Sequence, residues 1–197
     1  MRKVVWLASV MAVLLTACAT QVERINTDEV RDLSGRWNDT DSRLVSEDMI
    51  KDVLDHPWLG QFTRDQRRKP TVIVGEVLNL SHEHISVDTF VNDIERALIN
   101  SGKVTAVASS QERGEIREER KDMDLNARED TRKAMGQEIG ADFMLKGTIN
   151  TIMDTEGKEQ VRFYQIDLTL ISLADNSKVW VGQKKIKKFV KKASFRL

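Results

Sequence analysis

One thiol, three imidazoles and a dense set of carboxylates are the groups in this 197-residue chain that could do chemistry. The thiol is Cys18, which closes the order Leu15-Thr16-Ala17-Cys18. That order fits the bacterial lipobox, in which the cysteine is acylated with diacylglycerol and becomes the first residue after cleavage. Before it stand Arg2 and Lys3, then an apolar run from Val4 to Leu15 interrupted only by Ser9. Such a segment is a secretory signal peptide, too short to span a membrane comfortably. Ordinary cleavage at Ala17-Cys18-Ala19 also satisfies a small-x-small rule and would leave Cys18 without a task. Cys18 is the single cysteine and sits at the signal boundary, which favours lipid attachment. An exported chain with one thiol has no internal disulfide, and an amino terminus carrying more than one acyl chain anchors stably. Ala19 stands where an aspartate would suggest retention in the inner membrane, so by analogy with enteric bacteria the expected address is the outer membrane, facing the periplasm.

The other reactive groups form no catalytic set. His82 and His84 could share one side of an extended segment, as a metal pair does, but neither they nor His56 has a third ligand at a motif spacing. They read as surface loop histidines. Asp39-Thr40-Asp41-Ser42 begins like a calcium loop, yet the position needing glycine is Leu44 and the bidentate glutamate position is Ile50; helix capping accounts for it better. Gly114, Gly136 and Gly140 make no phosphate-binding fingerprint, and Gly-x-Ser-x-Gly is absent. Carboxylates between Glu112 and Asp130 alternate with Arg and Lys, as on a solvated helix face. The expectation is a non-enzyme with no catalytic residue, cofactor or metal.

Two features could bind a partner. Removing the signal leaves 29 basic and 31 acidic residues, a balance of −2. Residues 178–197 hold eight Lys or Arg and no acid, so residues 18–177 carry 21 against 31, or −10. The chain therefore ends in a basic patch on an acidic body. Within it, Lys184, Lys185, Lys187 and Lys188 would meet an acidic protein face, anionic lipid head groups or anionic wall material; nucleic acid does not suit an exported protein. The alternative is that these lysines blunt an exposed strand edge. Met123 and Leu125 are the second feature, a small docking spot if exposed and a closed corner if turned inward. Trp37, Trp58 and Trp180 read as core or core edge.

The elements that must position these groups follow from periodicity. Residues 1–17 are the signal, 18–36 a lipidated polar tether reaching roughly 60 Å when fully extended, and 37–192 one globular domain. Leu44, Val45, Met49, Ile50, Val53 and Leu54 mark a helix from Ser42 to Asp55, with Asp39, Thr40 and Asp41 supplying oxygens for its first amides. His56-Pro57 ends it, and Trp58, Leu59 and Phe62 follow as an apolar plug. A strand buried on both faces spans Pro70 to Leu80, a helix Asp88 to Asn100 ended by Ser101-Gly102, and a short strand Lys103 to Ala108. Residues 111–139 predict two charged helices with a break at Asp122–Asn126. The second runs from Ala127 to Ile139, supported by Glu129 and Lys133 and capped by Gly140. Strands at Phe143–Met153, Val161–Leu173 and Lys178–Lys188 complete the order. The expected fold is α/β (α+β): a single mixed sheet with a three-stranded antiparallel C-terminal meander and about four helices.

At Ser34-Gly35-Arg36-Trp37-Asn38-Asp39-Thr40-Asp41-Ser42-Arg43-Leu44-Val45, followed by a helix, the chain resembles the LpoB family of outer-membrane lipoproteins that activate penicillin-binding proteins. Agreement continues through Val72-Ile73-Val74-Gly75, Ile94-Glu95-Arg96-Ala97-Leu98-Ile99-Asn100-Ser101-Gly102-Lys103-Val104 and Gly140-Ala141-Asp142-Phe143-Met144-Leu145-Lys146-Gly147, and to the closing strands with Trp180. Gly-Ala-Asp before an apolar strand also resembles the amino-terminal domain of TolB and CsgG-like secretion proteins. The resemblance implies a monomeric, non-catalytic domain tethered to the membrane by lipid, which docks on a bifunctional class A penicillin-binding protein and stimulates peptidoglycan synthesis. An envelope assembly or secretion lipoprotein of the CsgG-like type, acting by oligomerisation, is the alternative. Unlike the family's long Pro-rich tethers, this one is short and holds no proline before Pro57.

Overall fold

The computed structural model describes residues 21–131, 136 and 138–192. The chain divides into two units after Arg31. In the described part of the first, Glu29 N–H closes a turn on the Asn26 carbonyl at 3.1 Å and Arg31 pairs with Glu29. Every helix and strand among the described residues belongs to the second unit, which starts at Asp32, inside the segment expected as tether.

Helix α1 (Asp39–Asp55) starts on a reciprocal cap: the Asn38 side chain accepts the Asp41 amide, and the Asp41 carboxylate accepts the Asn38 amide, both at 3.0 Å. The cap therefore sits one residue before the expected Asp39-Thr40-Asp41. Val45, Met49, Ile50, Val53 and Leu54 are buried as expected, whereas Leu44 is exposed and Ser42 and Ser46 take its place on the inner face. His56 is extended and ends α1. Pro57 then opens α2 (Pro57–Gln66), a helix where a plug was expected. Proline ends one helix through its clash with the residue before it, yet suits the first turn of the next. Trp58 and Phe62 of α2 pack edge-on against Phe143, with ring centroids 4.9 and 5.3 Å away.

Strand β1 (Thr71–Asn79) is buried on both faces from Thr71 to Val74. Helix α3 (Val87–Ser101) presents Phe90, Ile94 and Leu98 to the core and stops at Gly102, whose φ of +62° only glycine adopts freely. Strand β2 (Thr105–Ala106) is shorter than expected. Helix α4 (Ser110–Asn126) runs unbroken through Asp122–Asn126, correcting the expected break. Ser109 and Glu112 cap its start reciprocally, nothing in Asp122–Asn126 is Gly or Pro, and an Asn126–Asp122 side-chain bond of 2.8 Å ties off its last turn. Ala127 is extended and Arg128–Thr131 form a turn, so the described part of the expected Ala127–Ile139 helix is not helical. The rest of it, with the Glu129–Lys133 pair, lies outside the described residues.

Strands β3 (Phe143–Glu156), β4 (Glu159–Ser172) and β5 (Lys178–Lys191) are each 14 residues long. They pair antiparallel in that order, and β1 joins β3 in parallel, giving a five-stranded mixed sheet ordered β2-β1-β3-β4-β5. A crossover through α3 makes the parallel β1–β2 pair possible. Ile149, Tyr164, Ile166 and Leu168 form the inward row that meets Val45 of α1 and Phe90 of α3 in one core. The fold is α+β, a single mixed sheet with helices, as the sequence predicts. All three expected tryptophans serve it: Trp58 and Trp180 are buried, Trp37 packs on the core, and their indole N–H groups donate to Val53 carbonyl, Asp52 carboxylate and Ser42 hydroxyl.

Candidate interaction surface

Strand β5 lies at the edge of the sheet and carries the lysine run. Successive side chains on a strand point to opposite faces, so residue parity sorts the lysines. Lys184 and Lys188 turn toward the helical layer, on the side of Trp180 and Ile186. Lys184 Nζ binds Asp48 of α1. Lys188, 12% exposed, pairs with Asp32 at 2.8 Å and Asp41 at 2.7 Å, and donates to the Arg36 carbonyl at 3.3 Å. Burial disfavours its charge, but the hydrogen bonds it donates to Asp32 and Asp41 outweigh that and raise its pKa. The same contact lowers the pKa of Asp32. Lys188 thereby straps Asp32–Asn38 onto the sheet. Lys185 and Lys187 point the other way, are exposed, and have neither an ion pair nor a hydrogen-bond partner among the described residues.

Met123 and Leu125 do not sit in a corner. Both lie in the last turn of α4, Met123 half-buried and Leu125 84% exposed. No residue of α4 is fully buried, and a bidentate Arg117–Glu138 pair, with both bonds at 2.8 Å, ties its exposed flank to the segment before β3. Glu138 has its pKa lowered by those bonds.

The sequence draws attention to His82 and His84, which are exposed in the loop before α3. The consequential group lies between them. Glu83, its side chain 10% exposed, pairs with Arg162 at 2.7 Å, accepts the Tyr164 hydroxyl at 2.8 Å and receives the Trp37 amide at 3.3 Å. Burial and the adjacent carboxylate push the Tyr164 phenol up to about 12. A signal was present: Arg162 and Tyr164 continue the inward row of Ile166 and Leu168, and a buried guanidinium needs an acid. Which acid could not be read, because Glu83 lies 79 residues away.

Asp142, in the Gly-Ala-Asp motif, serves structure as well. It holds Arg68 through bonds of 2.6 and 2.7 Å and accepts the Thr71 amide at 2.7 Å. One carboxylate thus pins the parallel start of β1 and β3, and the Arg68 contact lowers its pKa. Among the described residues no group of His, Cys, Asp and Glu is arranged to hold a metal, and no helix is long and apolar enough to cross a membrane. Cys18 lies outside the described residues.

No curated protein matches the chain. Among solved structures, the NMR structure of LpoB from Escherichia coli is 12% identical, with 90% of this chain and 84% of that one covered and a TM-score of 0.42. The LpoB C-terminal domain from Salmonella enterica is 14% identical over 67% of this chain and 94% of that one, with a TM-score of 0.37. Lipoprotein GNA1162 from Neisseria meningitidis is 15% identical over 61% and 83%, also with a TM-score of 0.37. The family model of the peptidoglycan-synthase activator LpoB matches residues 41–186, from the first turn of α1 to the middle of β5. With three-quarters of its length and nearly all of its sheet inside that match, the chain belongs to the LpoB family of peptidoglycan-synthase activators.

Proposed function

We propose that the protein is a non-catalytic outer-membrane lipoprotein that binds a class A penicillin-binding protein and stimulates its glycan polymerisation and cross-linking. The family match over residues 41–186 carries this reading, and it favours an activator over the secretion-type alternative. Acyl chains on Cys18 fix the origin. The polar residues that follow set the volume the domain searches, and a surface of the domain biases the synthase toward its active state. Such a protein acts only through differential affinity for two states of its partner, so it needs no catalytic residue of its own.

The protein acts as a monomer facing the periplasm. Because residues 32–38 are strapped to the sheet, the chain length between a lipid at Cys18 and the domain is residues 19–31, which spans at most roughly 45 Å. The partner's contact site must come within that distance plus the width of the domain from the membrane. The test is a polymerisation assay with the lipidated protein and each class A synthase of the same cell. Faster glycan chain growth with at least one synthase is expected. Unchanged rates with all of them, together with no in-cell cross-link to any, would sink the reading.

A further inference from the structure

Resting on the activator reading, we propose that the outward face of β4 and β5 is the docking surface for the synthase. It takes an apolar protein patch rimmed by acidic side chains. The strand register builds this face. Ile152 lies opposite Phe163, and Phe163 opposite Lys187; one pair further along, Asp154, Val161 and Phe189 form a row, and one pair back, Asn150, Gln165 and Lys185 form another. Residues directly opposed across strands share a face, so these nine side chains make a three-by-three grid.

The helical layer covers the other face. Tyr164, Ile166 and Leu168, which alternate with the grid residues of β4, are the ones that meet α1 and α3. An antiparallel sheet with one solvated face normally carries polar residues there. Here two adjoining rows of the grid carry Ile152, Phe163, Val161 and Phe189, with Ile152 67% and Phe189 63% exposed. Isolated exposed apolar residues need no explanation, but two phenylalanines and two aliphatic residues in adjoining rows form a patch. Exposed aromatic anchors bordered by polar and charged side chains are the arrangement protein interfaces use.

Charge selects the occupant. Lys184 and Lys188 are neutralised by Asp48, Asp32 and Asp41 on the inner side, whereas Lys185 and Lys187 on the grid have no partner among the described residues. Asp154 is the grid's single carboxylate. In the rows that flank the grid, Asp167 is held by the amides of Gln165 and Gln183, each at 2.8 Å, and Glu159 is held by Lys191 at 2.7 Å, with Glu156 opposite it on β3. The free charges of the face are therefore separated, Lys185 and Lys187 along the β5 edge and Asp154 and Glu156 along β3, so a partner seated over β4 and β5 meets cations, which favours acidic side chains along that rim and disfavours basic ones.

The test measures the affinity of the full lipidated chain in detergent for the class A synthase that it stimulates. Two variants are compared with it, Phe189→Asp and the double variant Lys185→Glu with Lys187→Glu. Each should bind at least about tenfold more weakly and lose stimulation, with an unchanged thermal transition because the altered side chains face solvent. Lys185→Gln with Lys187→Gln should flatten the salt dependence of binding, a response that a purely structural role would not give. Wild-type affinity in both charge and aromatic variants overturns the proposal, as does loss of binding in Leu125→Asp with retention in Phe189→Asp. Phe189-dependent binding to phosphatidylglycerol vesicles, with synthase affinity unaffected by Phe189→Asp, assigns the face to lipid and overturns it too. If the wild-type chain binds no class A synthase, the activator reading falls first and takes this proposal with it; if it binds and the variants bind equally, only the proposal falls.

Discussion

Single residues in this domain do work that their types alone do not announce. Tyr164 is the only tyrosine in the chain, so tyrosinate absorbance reports one group. Burial and the Glu83 carboxylate lift its pKa from 10.0 to about 12. A pKa raised in the folded state means stability that is complete below the unfolded value and is lost as pH climbs through the folded one. The expected outcome is a native midpoint near 12 against one near 10 in denaturant, with Tyr164→Phe removing part of the stability loss above pH 10. Gly182 supplies another case. A side chain there would strike the six-membered ring of Trp180, which folds over the strand so that its N–H reaches Asp52 at 2.9 Å. Gly182→Ala should displace the indole and destabilise the domain by about 1–3 kcal/mol, seen as a lower denaturant midpoint and altered tryptophan fluorescence. Asp142 has a lowered pKa, so its contribution is present at neutral pH and disappears as pH falls through the folded value. Asp142→Asn should flatten the acid limb of the stability profile, measured by thermal unfolding below pH 5.

Elements show the same economy on a larger scale. Strand β5 uses one alternation to hold the fold and to face outward. Lys188 is buried against Asp32 and Asp41 while its neighbour Lys187 is exposed on the opposite face. Lys188→Ala leaves Asp41, itself buried, without its cation, and should cost about 2–3 kcal/mol. Lys187→Ala should stay within about 0.5 kcal/mol. Urea unfolding of the two variants checks this contrast, and limited proteolysis should find residues 32–38 cut faster in Lys188→Ala alone. Helix α4 is the opposite kind of element. None of its residues is fully buried, and among the described residues its ion pairs, Arg117–Glu138 to the segment before β3 and Lys121–Glu118 within the helix, are surface pairs that salt weakens. Hydrogen exchange should show α4 opening well before α3, whose Phe90, Ile94 and Leu98 sit in the core.

For the molecule as a whole, the proposed lipid anchor makes a prediction about location. If Cys18 carries the lipid, Cys18→Ala should move the protein from the membrane fraction to the soluble periplasmic one while leaving the unfolding transition unchanged. Mass spectrometry of the wild-type amino terminus should show the acyl adduct.

The sequence by itself determined the order and identity of most elements, because each has a period that local residues impose. The alternation of Tyr164, Ile166, Leu168 and Leu170 makes a half-buried strand, and the glycine at 102 stops α3 wherever the helix packs. It also determined the family, since the matching stretches are contiguous in the chain. Local signals misled where one residue serves two elements, as Pro57 does between α1 and α2, or where charge density suggested a break in α4 that its caps prevent. The lysine run shows the sharper limit. Its residues were legible as a cationic segment, but their division into two internal struts and two free cations depends on parity across the sheet and on acids up to 156 residues away. The apolar grid of Ile152, Val161, Phe163 and Phe189 is likewise invisible along the chain, for it exists only in the register of three strands. Periodicity is a property of neighbours in sequence; pairing across long loops is settled only when the core closes and fixes which face each side chain occupies.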